Sequence, residues 1–168
     1  MSQTPAGLSR ITIVSGGQTG ADRAALDFAI ERGIPHGGWC PKGRLAEDGP
    51  ISLRYDLQET PSRKYSQRTE WNVRDSDATV VFTIAPQIVG GTALTLDWAR
   101  RLEKPALHLF RDAAPDVSAA ATEAAAKLLL FLDEHHVRRL NVGGPRASQE
   151  LGIIEFVRSV LQAALAAC

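Results

Sequence analysis

Short apolar runs alternate along this chain with longer stretches in which apolar residues recur every three or four positions. Ile11–Val14 is β-branched and apolar, as a strand buried on both faces requires. It ends in SGGQTG, Ser15 to Gly20. The following ADRAALDFAIERG places Ala21, Ala24, Ala25, Phe28 and Ala29 on one helical face, with Gly33 placed to cap the end. His36 to Gly49 predicts a short strand and then a long loop rich in glycine and charge. Tyr55–Thr60 predicts a strand, and a helix follows from a Ser62 N-cap to about Asp75. Ala78–Ile84 is the clearest strand. Gly90-Gly91-Thr92 then forms a loop into a helix ending near Glu103. Ala106–Phe110 is a strand, Ala119–Glu134 a helix, Leu140–Val142 the last strand and Gln149–Ala166 the last helix.

About five β-α units in succession imply a parallel sheet covered on both faces. With right-handed crossovers the expected fold is α/β: a doubly wound, mainly parallel Rossmann-like sheet. Residues 1–9 read as a flexible leader, and residues 10–168 as a single domain of ordinary size.

Composition narrows the function classes. Lys plus Arg and Asp plus Glu number 19 each, so the formal charge is zero. That balance argues against bulk binding to nucleic acid or to an anionic membrane, while leaving room for a local basic pocket. The start of the chain has no apolar signal core, and Leu128–Leu132 is far too short to span a bilayer. Cys40 and Cys168 form neither a metal spacing nor a disulfide framework. The expected location is the cytoplasm, with reduced thiols.

Three βα junctions carry glycine pairs: Gly16-Gly17, Gly90-Gly91 and Gly143-Gly144. Each opens a helix whose first amides lack partners, and those amides with the helix dipole favour an anion. Hydroxyls and cations stand beside them: Thr19 and Arg23; Thr92; then Arg146 and Ser148. The first loop is neither a Walker loop nor a dinucleotide fingerprint, since Ala21-Asp22 follows Gly20. The bland alternative is three tight turns.

Tyr65, Arg68, Thr69 and Asn72 share a helical face. Such a polar face is either solvated or lines a pocket, with Arg68 as an anion clamp. Lys42 and Arg44, in their glycine-rich loop, either close over a charged ligand or are surface cations. His36, His108, His135 and His136 have no metal-ligand spacing, so no metal site is expected. Cys40 has no base beside it, and Trp39, Trp71 and Trp98 read first as packing residues. Asp22 either bonds a ligand or favours the helix start.

Taken together, SGGQTGADRAALDFA, GGWCPKGR, YSQRTEWNVRDSDATVVF, GGTALT and NVGGPRAS resemble the molybdenum cofactor carrier family, over roughly residues 11–160. The resemblance implies a Rossmann-like homo-oligomer, a tetramer or dimer. It implies binding, protection and transfer of the molybdenum cofactor (Mo-molybdopterin, a phosphate-bearing pterin) to molybdoenzyme recipients. The ligand contacts it implies are Gly16, Gly17, Thr19, Gly20, Arg23, Lys42, Arg68, Asn72, Gly90, Gly91, Thr92, Gly143, Gly144, Pro145 and Arg146, with no catalytic residue.

The chain is also similar to the wider superfamily of cytokinin-activating phosphoribohydrolases, often called lysine decarboxylase-like. Their PGGxGTxxE motif ends in a catalytic glutamate. Here Gly91-Thr92 match the GT pair and Thr95 stands at the glutamate position, where no carboxylate chemistry is available. A nucleoside 5'-monophosphate phosphoribohydrolase, with Asp97 or Glu70 as substitute acid, is the alternative, and a nucleotide sensor is another. NVGGPRAS looks like the strand and loop that open those enzymes, so the chain resembles a circular permutant of them.

Overall fold

A computed structural model describes residues 11–111 and 116–166. The expected leader, residues 1–9, lies outside the described residues. Five strands form one fully parallel sheet: β1 (Thr12–Val14), β2 (His36–Gly37), β7 (Ala78–Thr83), β8 (Ala106–Phe110) and β9 (Arg139–Gly143). Their spatial order is β2-β1-β9-β7-β8. The last strand of the chain therefore lies in the middle. Ile13 registers with Leu140 on one side of it, and Val80 with Val142 on the other. Counted from β9, the order is the 3-2-1-4-5 of a Rossmann sheet begun at a different strand.

The helices follow from the crossover rule. The step from β1 through α1 (Ala21–Arg32) to β2 runs one way across the sheet. The step from β7 through α3 (Gly90–Arg101) to β8 runs the other way. Right-handed connections must then put α1 and α3 on opposite faces. The helix α1 packs on α5 (Ile153–Leu165), which packs on α4 (Val117–Glu134). On the other face α2 (Tyr65–Arg74) packs on α3.

The two sheet faces are chemically unlike. Ile13, Leu140, Val142, Ala78, Val80 and Phe82 join Phe28, Leu128 and Phe156 in one core under α1, α4 and α5. There Phe82 meets Phe156 edge to face at 5.9 Å. The alternate residues point to the α2 and α3 side, where Asn141 Nδ2 donates to the Thr79 hydroxyl at 3.2 Å, both buried. Val14 and Val81 stand beside that pair on the same face.

Between β2 and α2 the chain forms two minor pairs. These are β3 (Trp39–Cys40) with β6 (Gln58–Glu59), and the hairpin of β4 (Leu45–Ala46) with β5 (Gly49–Pro50). Cys40, Ala46, Ile51, Tyr55 and Leu57 pack with Leu26 of α1 in a second small core. This cluster explains why only Gln58–Glu59 remains of the expected strand at Tyr55–Thr60. Tyr55 turns inward, its hydroxyl donating to Asp27 at 2.7 Å, and the Leu57 amide folds back on the Tyr55 carbonyl.

Other boundaries move for local reasons. Gly33 takes the left-handed cap that its position predicts. Ser62 is not the N-cap of α2: its hydroxyl accepts from the Lys64 amide, and Lys64 occupies the cap. Gly90 and Gly91 belong to the first turn of α3 rather than to a loop before it. The last helix starts at Ile153, because residues 147–152 form turns that end at Gly152, with φ of 83°.

Candidate functional site

At the carboxyl ends of β1, β9 and β7 the polar sheet face opens into a cavity of about 150 Å³. Its strand lining comes from β9, beside the point where the strand order reverses and open α/β sheets take ligands. Gly16 and Gln18 come from the loop after β1, and Asn141 to Gly144 and Arg146 from β9 and its loop. Gly91, Thr92 and Thr95 come from α3. The helix α2 supplies Tyr65, Arg68, Thr69 and Asn72, so its polar face lines the cavity.

The three glycine loops converge, but they do not offer the same chemistry. After β1, the Gln18 amide donates to Asp22, the Thr19 amide to the Gln18 side-chain oxygen, and the Ala21 amide to the Pro145 carbonyl. After β9, Arg146, Ala147 and Ser148 amides donate to Gln149, Thr19 and Glu47 side chains. These amides are spent inside the protein, and two of them, on Ala21 and Ala147, join one loop to the other. The start of α3 differs: its N-cap is Val89, which has no side chain to accept. Among the described residues, the Gly90, Gly91 and Thr92 amides have no such cap.

Gln18 is the residue that pattern reading misses. It is buried, and its side-chain oxygen accepts from the Thr19 and Glu47 amides. Its Nε2 is buried without a hydrogen-bond partner. An unmet amide donor in a cavity wall costs free energy unless a guest accepts from it. Only its place between Gly17 and Thr19 in a glycine loop could have signalled it.

Arg68 reaches across the cavity floor. Its Nη1 donates to the Gly16 carbonyl at 3.0 Å and lies 3.5 Å from Asp22 Oδ2. Burial pushes the Asp22 carboxyl above its usual range, and the Arg68 charge opposes that rise. Arg68 and Arg146 each stand 5.4 Å from the centre of the Tyr65 ring, so both guanidinium groups lie over that ring. Asn72 lines the wall, but its amide is paired both ways with the Trp39 backbone: Nδ2 donates at 2.9 Å and Oδ1 accepts at 2.7 Å.

Several of the expected contacts stand away from this cavity. Thr19 donates to Glu47, and Arg23 pairs with Asp48 while donating to the Gly17 carbonyl. Both tie the β4–β5 hairpin to the glycine loop. Gly17 packs under Ile51 and Leu57, and Gly20 lies against the Pro145 and Ala147 backbone. Gly90 and Pro145 line an adjoining cavity. Lys42 is exposed and outside both. Arg44 donates to the Ile51, Ser52, Tyr55 and Leu57 carbonyls and is a staple of its own loop.

Glu47 is a hub of the hairpin. It accepts from the Thr19 hydroxyl and from the Ser148 hydroxyl at 2.6 Å. Those hydroxyls, Ser148 first, hold its carboxyl below the usual range. Burial pushes the Cys40 thiol up, away from a thiolate nucleophile. No group of three or more His, Cys, Asp or Glu could hold a metal ion among the described residues. No helix among them is long and apolar enough to cross a membrane.

Residues 13–165 match the circularly permutated YpsA SLOG family. The chain belongs to that family. The central position of β9 is the structural form of the permutation. The SLOG chain is also similar to a crystal structure described as "Putative molybdenum carrier protein" from Syntrophus aciditrophicus. The identity is 45% and the TM-score 0.87, over 93% of this chain and 96% of that one. No curated protein matches it.

Acid–base groups are few among the described lining residues of this SLOG cavity. Asp22 is the one carboxylate among its described lining residues, and Arg68 and the Gln18 amide already engage it. Asp97 and Glu70 are outside it. Thr95 is buried and donates to the Gly91 carbonyl at 2.9 Å, one turn back along α3. It offers a methyl and a bonded hydroxyl where glycosidic cleavage would want a charge.

Proposed function

We propose that this protein binds and carries the molybdenum cofactor, holding an oxyanion of that ligand, phosphate or metal-oxo, at the first turn of α3. The observation that carries the reading is the pairing of an uncapped helix start with the orphaned Gln18 Nε2 in one cavity. Gly91 and Thr92 amides and the Gln18 amide donate to the oxygens. Arg68 and Arg146 supply positive charge; Gly16 leaves the space that the Arg68 side chain fills, and Gly143 and Gly144 lie in the cavity wall. A cavity of about 150 Å³ encloses an oxyanion but not a whole pterin, since sites for drug-sized ligands span roughly 300–1,000 Å³. The remainder of the ligand lies across the mouth, over Tyr65 and Arg146.

The 45% identical structure described as a molybdenum carrier supports the choice of cargo. The protein acts as a carrier and not a catalyst, in the cytoplasm, as a homo-oligomer that hands its ligand to molybdoenzymes. Mass spectrometry of ligand retained by the natively purified protein tests this, with thermal shift against molybdenum cofactor, molybdate and AMP. Cofactor at a hundredfold excess over its dissociation constant should stabilise by about 2.7 kcal/mol. Steady release of adenine from AMP, lost in Arg68→Met, would overturn the carrier reading in favour of hydrolysis.

A further inference from the structure

A second cavity, of about 250 Å³, adjoins the oxyanion site and shares Thr92 and Gln149 with it. Its charged lining differs from its neighbour's. Neither Lys, Arg nor His lines it among the described residues; Glu150 does. One Glu150 carboxylate oxygen accepts from the Ile84 amide at the end of β7, which fixes the side chain in the wall. That oxygen keeps a further lone pair, and the other oxygen has its own. The Thr83 hydroxyl in the same wall donates to the Ala85 carbonyl at 2.5 Å. His108 Nε2, 2.7 Å from that hydroxyl oxygen, then donates to it, so Thr83 has no proton for a guest. Val89 and Pro145 give the cavity apolar flanks.

We propose that this second cavity receives the N–H-donating edge of a 2-amino-4-oxopyrimidine ring, with Glu150 as the group that reads it. The inference rests on the oxyanion reading of the first cavity. A ligand bridging the two must be an anion at one end and a flat donor at the other. A carboxylate accepts from two adjacent N–H groups in parallel. The ring N–H and the 2-amino group of guanine or of a pterin present such a pair. Adenine sets a ring lone pair beside its amino group, which a carboxylate repels. A 2-oxo ring puts a carbonyl where the amino group should be, with the same result.

Titration calorimetry on the full chain separates the cases. The probes are inorganic phosphate, GMP, IMP, 6-hydroxymethylpterin monophosphate and the 2-oxo (lumazine) analogue of that pterin. GMP should bind roughly tenfold or more tighter than IMP, or the pterin than its lumazine, and Glu150→Gln should erase that preference. The glutamine keeps an acceptor for the Ile84 amide, and phosphate binding by the variant shows that it is folded. Preference in the pterin pair alone names a pterin as the guest; preference in the GMP pair alone names a guanine nucleotide; either upholds the proposal. Phosphate binding with no preference in either pair, or a preference that survives Glu150→Gln, overturns it and leaves the oxyanion site standing. No binding of phosphate or of any probe overturns both.

Discussion

The Arg68 guanidinium closes over the Gly16 carbonyl and faces the Asp22 carboxylate, so a side chain of α2 locks the loop after β1 to the start of α1. Both side chains are about nine-tenths buried, at 12% and 10% exposed. Removing one partner of such a pair strands the other charge. Arg68→Met, which keeps the stem volume, should destabilise the fold by about 3 kcal/mol at neutral pH. Asp22 is already raised above its usual value, so the folded state holds its proton more tightly than the unfolded chain does. Stability from this group is thus greatest in acid and falls as pH rises through the gap between the two values. Losing Arg68 widens the gap. Denaturant titrations should show the deficit of Arg68→Met shrinking as pH drops towards 3.8, the ordinary value for the group. A deficit independent of pH would contradict the pairing.

Gly20 combines a positive φ of 82° with a close approach of the loops after β1 and β9. A methyl there would collide with the Pro145 carbonyl and lie 2.6 Å from the Ala147 nitrogen. Gly20→Ala should cost about 2–5 kcal/mol, the sum of positive-φ strain and overpacking. Thermal unfolding measures it, and a loss under 1 kcal/mol would mean that the loops part easily.

Gln18→Glu keeps an oxygen for the Thr19 and Glu47 amides and turns the orphaned donor into a negative charge. Molybdate and phosphate binding should weaken by at least about tenfold, since like charges in an enclosed site repel by more than 1.4 kcal/mol. Unchanged affinity, measured by calorimetry, would place the anion elsewhere.

The Glu47 carboxylate should titrate below 4.5, its ordinary value, because the Ser148 and Thr19 hydroxyls stabilise its charged form. The sign is opposite to that of Asp22: its contribution is present above 4.5 and is lost as pH falls through the lowered value. The amide shift of Ser148 in an NMR titration should report that midpoint. A midpoint at 4.5 or higher would show that the hairpin does not close on the β9 loop in solution.

The fold was legible because its signals are local. The β-branched run at Ala78–Thr83, the Gly33 cap and the periodicity of α1 each depend on neighbours within a few positions. The Tyr55–Thr60 stretch misled because Tyr55 and Leu57 serve a small core with Leu26, some thirty residues away. The site was half legible. Helical spacing does bring Arg68 and Asn72 to a cavity, and glycine pairs do mark three converging turns. Spacing cannot show that Asn72 is paired with Trp39, or that amides of the first and third turns find partners within the protein while the second has no side-chain cap. Gln18 and Glu150 are ordinary polar residues in sequence; what surrounds them makes them candidates.

The central place of β9 has a bearing on synthesis at the ribosome. The β1–β2 pair and the β7–β8 pair precede β9 in the chain, and in the sheet Arg139–Gly143 is the strand that joins them. A nascent chain stalled before that point holds two unjoined half-sheets with open inner edges, the kind of species that chaperones guard. Assembly of the whole sheet therefore waits on Arg139–Gly143, and a ribosome pausing before Arg139 would prolong the time those edges stay bare.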